Sequence, residues 1–167
     1  GFNDSYEIQT GSDPNYSNAI RLEISNENPR WSKLPDILIA DFENGYGDWI
    51  VEGEAFGDTP ANGSIGTQQL VSGFLGSGLV NTFINGDSSV GILTSPDFVI
   101  ERPWINFFIG GGNHASQTCI NLMIGDEVLK TATGKNNEFL VKSSWFVGNH
   151  IGKIVKLEII DSKTGSW

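Results

Sequence analysis

Hydrophobic positions in this chain come in short runs, each closed by polar or turn-forming residues. Between residues 78 and 134 the runs fall at 79–84 (LVNTFI), 90–93 (VGIL), 98–100 (FVI), 104–109 (WINFFI) and 119–124 (CINLMI), with a shorter one at 128–129. Each is rich in β-branched or aromatic side chains and ends on Gly, Asn, Asp or Pro, which is how strands are punctuated. No window repeats apolar residues at spacings of three and four, so no amphipathic helix is predicted.

The pattern extends to both sides of this stretch. ILIADF (37–42) reads as a strand, ENGYGD (43–48) as its turn, and WIVEGEAF (49–56) as the returning strand. Residues 57–78 form a long glycine-rich excursion, the kind of loop that is functional or packs over an open end. Gly125-Asp126 suits a two-residue hairpin turn. GKNNEFLVKS (134–143) reads as a polar loop, WFVG (145–148) as a short strand, 149–153 as a turn, and IVKLEII (154–160) as a last long strand with no partner after it. An open edge there would be an aggregation hazard unless something covers it. Residues 1–36 are rich in Asn, Ser, Asp and Pro. They read as a linker or the tail of a preceding domain, packed along the sandwich or not, with 20–24 as a candidate edge strand. Eight or nine strands about ten residues apart predict an all-β domain over 37–167, a β-sandwich of the jelly-roll type.

Composition narrows the partners. Twenty-one glycines in 167 residues suit a fold of many tight turns. A net charge of −10 repels phosphate backbones and anionic lipid, which argues against nucleic-acid and membrane partners and suits a neutral one such as a sugar. Cys119 is the single cysteine, so no intrachain disulfide forms, and inside an apolar run it reads as a small packed hydrophobe. No 18-residue apolar stretch and no signal peptide is present. The chain reads as a module of a longer protein.

Alternating strand direction sorts the loops by end. With ILIADF running up, the loops at 44–47, 85–89, 110–116, 133–142 and 162–167 share one end, and the 57–78 excursion lies at the other. The first set collects Asp87, Asn113, His114, Asp161 and Trp167 beside three glycines at 110–112, with Lys130 pointing the same way. Asp, Asn and His supply the donors and acceptors that sugar hydroxyls need, and Trp167 offers an apolar platform for a ring. Asp and Asn beside Gly are also ordinary turn residues. Catalytic motifs are missing: there is no G-x-S-x-G elbow and no Walker loop, and the glycines at 73, 76 and 78 precede no helix. A glycosidase needs two spaced carboxylates, for which Asp87 with Asp161, or Glu52 with Glu54, are candidates. No other cofactor is indicated, but Asp41, Glu43 and Asp161 are candidate oxygen ligands for a structural calcium.

Several runs in order, GEAFG (53–57), VSGFLGSGLVNTF (71–83), GILTSP (91–96), INFFIGGGNH (105–114), TCINLMI (118–124) and TATG (131–134), resemble the fructan-binding β-sandwich module that accompanies bacterial exo-levanases and related fructosidases. The resemblance covers 37–167. It implies a secreted, extracellular, non-catalytic carbohydrate-binding module that recognises terminal fructose of levan or inulin and holds a covalently attached glycoside hydrolase on the polymer. Matched positions are Asp87 in the NGD-x-S motif, Asn113 and His114 ending GGG-x-H, and Glu54 in GEAFG. Lys130 stands where relatives carry Arg, which replaces a bidentate fork by a point charge. Relatives also continue past the Gly-x-Trp turn with one more strand. Glu54 falls at the opposite end by the alternation above. The alternatives are a glycosidase in its own right and a purely structural accessory sandwich. The strand tryptophans Trp49, Trp104 and Trp145 fall inside apolar runs and read as core, so the expected site is a small pocket at a loop end and not a groove along a sheet face.

Overall fold

In the computed structural model, residues 22–25 and 34–165 are described. They form two antiparallel sheets packed face to face, so the all-β sandwich expected from the apolar runs is what the chain adopts. The strands are β1 (Leu22–Ser25), β2 (Ile37–Ala40), β3 (Ile50–Gly53), β4 (Gly91–Thr94), β5 (Phe98–Val99), β6 (Trp104–Gly111), β7 (Thr118–Ile124), β8 (Glu127–Ala132), β9 (Asn137–Phe146) and β10 (Ile154–Asp161). One sheet has the order β2-β1-β6-β9 and the other β3-β4-β10-β7-β8, with β5 continuing the line of β4 beside β10. Between them pack Leu22, Leu93, Ile105, Phe107, Leu122 and Leu157, each at most 1 % exposed, with the Phe107 and Trp145 rings edge to face at 4.6 Å. This apolar burial is the main stabilising term. Among the described residues no helix is long and apolar enough to cross a membrane.

Four expectations need correcting. The segment 20–24, read as a candidate edge strand in a linker, contributes β1, which pairs with β2 on one side and β6 on the other. Leu22 is wholly buried, so this part of 1–36 belongs to the fold. The last strand is not an open edge: β10 is hydrogen-bonded to β4 and β5 on one side and β7 on the other. Within 134–143, read as a polar loop, residues 137–143 begin β9, a long edge strand in which Leu140 and Trp145 turn inward. Residues 79–84 are not a strand. Their one pairing is an isolated bridge from Leu79 to Ala61, and their apolar side chains cap the end of the core.

A fifth error misplaced the excursion and Glu54. β2 and β3 are not a hairpin; they lie in different sheets, joined by the 41–49 crossover. Gly53, Gly91, Asp161 and Thr118 stand in register across the second sheet. The 112–117 turn joins Thr118 to Gly111 of the first sheet, so all these positions mark one end, here called the loop end. β2 and β3 both run toward it, which shifts the alternation by one. The 54–90 excursion therefore leaves and re-enters at the loop end, and so does Glu54, which had been placed at the opposite one. The expected turn at Gly125-Asp126 is present, with Ile124 opposite Glu127.

Candidate functional site

The loop end carries a cavity of about 190 Å³. Its floor is the top of the core, Leu22, Leu79, Phe107 and Leu140, and its mouth is polar. One wall is the backbone of Gly110–Gly112, against which Gly134 lies so closely that a Cβ there would collide with the Gly111 carbonyl. The opposite wall is residues 79–83 of the excursion. It is pinned by buried Asn81, whose Nδ2 donates to Gln68 Oε1 at 2.8 Å and to the Gly63 carbonyl at 3.0 Å.

Asp87, His114 and Asp161 line this one cavity, as the loop sorting predicted. Asp161 ends β10 and is buried, while Asp87 is exposed at the rim. The Gly165 N–H donates to the Asp87 carbonyl at 2.6 Å and closes the 162–165 turn over the rim. Burial pushes the Asp161 carboxyl above the ordinary carboxylate range. Hydrogen bonds from the Thr82 hydroxyl and the Lys163 N–H pull it back, and the nearby Asp87 charge adds to the rise.

Other candidates stand elsewhere. Asn113 is exposed and does not line the cavity. Its Oδ1 accepts from Thr133 Oγ1 at 2.8 Å and its N–H donates to Asn136 Oδ1 at 2.8 Å, so it ties two mouth loops together. Lys130 sits mid-strand on β8 opposite Leu122, and Glu54 is exposed just past β3; neither lines the cavity. Glu52 and Glu54 likewise stay outside it. Trp167 lies outside the described residues. The proposed calcium ligands are not brought together. Asp41 Oδ1 accepts from the Glu43 N–H at 3.1 Å, and the Glu43 carboxylate accepts from the Ser77 and Gly78 N–H groups, while Asp161 faces the cavity. Among the described residues no group of three or more His, Cys, Asp or Glu could hold a metal ion.

Sequence reading missed Thr82 and Thr118. Thr82 bonds Asp161 and Thr118 is its cross-strand partner. Both fell inside or beside runs read as strands, where a threonine carries no signal of its own.

No family model matches the chain, and no solved structure matches it. Residues of the chain are 38 % identical over 119 positions to a protein of Aspergillus rugulosus named "Putative glycosyl hydrolase ecdE". The match takes in 71 % of this chain and spans only 17 % of that relative's length.

Proposed function

We propose that this chain is a non-catalytic carbohydrate-binding module whose loop-end cavity takes the terminal fructose unit of a fructan, levan or inulin, and that it works outside the cell, tethered to an exo-acting glycoside hydrolase. The single observation that carries the reading is the cavity itself: Asp87, His114 and Asp161 converge on one small concave mouth over an apolar floor. Such a site suits one sugar ring, its hydroxyls meeting the polar mouth and its C–H face the floor. The similarity to a protein named as a glycosyl hydrolase, over a domain-sized fraction of its length, supports a carbohydrate setting. Few hydrogen bonds, each exchanged against water, give an affinity on the order of 0.1–1 mM for one chain end. Polymers with many ends gain by multivalency.

One observation favours a second reading. Asp161, raised by burial, and Asp87 at the rim form a carboxylate pair in one cavity, which is how glycosidases separate acid from base. Incubating the pure chain with levan and inulin decides between them. Binding in a titration without release of fructose supports the module; fructose released by the wild type and not by Asp87→Asn supports the enzyme. No affinity for either polymer leaves the structural sandwich.

A further inference from the structure

Among the described residues, two buried polar atoms at the cavity have no hydrogen-bond partner: His114 Nε2 and Thr118 Oγ1. They belong to one tight turn, closed by the Thr118 N–H donating to the His114 carbonyl at 2.8 Å. Thr118 is also the cross-strand partner of Asp161. Directly opposed residues present their side chains on the same face, with Cβ atoms about 4.5–5.5 Å apart. The turn that carries the two unpaired atoms therefore lines the cavity beside the one buried carboxylate there. Asp161 itself is partly engaged, by Thr82 and by the Lys163 N–H at 3.3 Å.

Buried polar groups in folded proteins are nearly always paired, and leaving one unpaired is costly. Two such atoms on one turn of the cavity wall point to a group that serves both. A hydroxyl fits: it donates once and accepts as well, and the Thr118 hydroxyl can turn to either role. His114 donates from Nε2 in one neutral tautomer and accepts in the other, so the pair reads a hydroxyl whichever tautomer is present. An anionic group would meet the Asp161 and Asp87 charges. We propose that the His114–Thr118 turn is a reader of one sugar hydroxyl, and that Thr118 is a specificity-determining residue of the site. This rests on the sugar-binding reading of the cavity.

The test uses the whole chain, methyl fructoside, and the set of its analogues each lacking one hydroxyl. The wild type should reject one analogue by about tenfold or more, because that analogue leaves both atoms unpaired. Thr118→Val, which puts a methyl group where the hydroxyl was, should bind the parent sugar as weakly as the wild type binds that analogue. It should then no longer distinguish the two. Thr118→Ser should keep the discrimination. In free protein, Thr118→Val should melt at the same temperature as the wild type or higher, since an unpaired hydroxyl has been removed; a merely structural hydroxyl would give a lower melting temperature. A wild type that binds every analogue alike overturns the inference without any variant, and so does a Thr118→Val chain that folds and binds the parent sugar at full strength. In both cases the cavity remains a sugar site. A wild type that binds no fructoside overturns the sugar-site reading and this inference together.

Discussion

Two concavities stand out among the described residues, and the bigger one is the poorer candidate. A groove of about 480 Å³ runs beside β2, lined by the 41–49 crossover and residues 95–99, with Asp41, Asp97, Glu101, Tyr46 and Trp49 among its walls. By size and aromatic content it outranks the loop-end cavity. Three of its polar groups, however, are already engaged. Asp41 caps the Glu43 N–H, the Tyr46 hydroxyl donates to the Phe56 carbonyl at 2.8 Å, and Glu101 pairs with Arg102 at 3.6 Å. At the loop end, His114 Nε2 and Thr118 Oγ1 are left unpaired beside a carboxylate that burial has made harder to ionise. Volume measures where a ligand fits. Buried polar atoms without partners measure where the fold is incomplete without one.

The largest effect that separates the two concavities is on affinity. Asp161→Asn should weaken fructan binding by about 10–100-fold, the value of a hydrogen bond to a charged group, roughly 1.5–3 kcal/mol. Asp97→Asn in the groove should change it by less than about twofold, within the ordinary effect of a surface substitution. Isothermal titration of both variants with a short fructan checks this. Equal losses would erase the contrast, and a loss confined to Asp97→Asn would reverse it.

Next in size is an effect on stability. Gly134 is buried with its backbone against Gly111, so Gly134→Ala must push the two mouth loops apart, at about 1–3 kcal/mol for an overpacked site. Gly45, in the groove, has positive φ but open space around it, so Gly45→Ala should cost only about 1 kcal/mol from its backbone conformation. Thermal melts of both, with sugar binding measured alongside, sharpen the contrast: the first variant should lose affinity as well as stability, the second stability alone.

How much of this was legible in the sequence depends on the kind of signal. β6, β7 and β10 were readable because they are near-continuous apolar runs, and a strand buried within a sheet needs little else to declare itself. β9 was not, because an edge strand can be polar at most positions and resembles a loop. Residues 79–84 misled for the converse reason: Leu79 and Val80 pack on the core from a capping loop, and apolar composition does not distinguish a cap from a strand. β1 was hidden by the polar sequence around it, although Leu22 is wholly buried. At the site, Asp87, His114 and Asp161 came together as the loop sorting predicted, since their three loops kept their places. Glu54 and the excursion were misplaced by a single wrong hairpin, and the later loops kept their places because 79–84, counted as a strand, restored the alternation. Thr118 was out of reach, for what marks it is its missing partner, and only a folded chain shows that.

A smaller effect belongs to the groove. Burial pushes the Tyr46 phenol up to about 12, above its ordinary value of 10.0. A folded-state value raised above the unfolded one means the folded chain holds a proton that the unfolded chain releases. The contribution of Tyr46 to stability is therefore complete below pH 10 and is lost as pH rises through about 12. At pH 8, Tyr46→Phe should lose about 1 kcal/mol with the hydrogen bond to Phe56, and the gap to wild type should narrow above pH 10. Denaturant midpoints at pH 8 and 11 test this, and fructan affinity should not follow them. A parallel loss of affinity would tie the groove to ligand binding and break the comparison.

The smallest effect belongs to the loop end and runs the other way in pH. The Asp161 carboxyl titrates above 3.8 in the folded chain, chiefly because it is buried. Its favourable contribution is thus complete below 3.8, where the proton is held in both states, and is lost as pH rises through the folded value. At neutral pH the chain carries an ionised, buried carboxylate at some cost in stability. Asp161→Asn, which imitates the neutral form, should melt slightly above the wild type at pH 7, and the difference should close as pH falls toward 3.8. Fructan affinity of the wild type should fall over the same window, because the protonated carboxyl is a weaker acceptor for a sugar hydroxyl. Stability that rises while affinity falls, with both changes absent from Asp161→Asn, is what a carboxylate kept for its ligand predicts. Affinity and stability that rise together on acidification would show instead that Asp161 serves the fold.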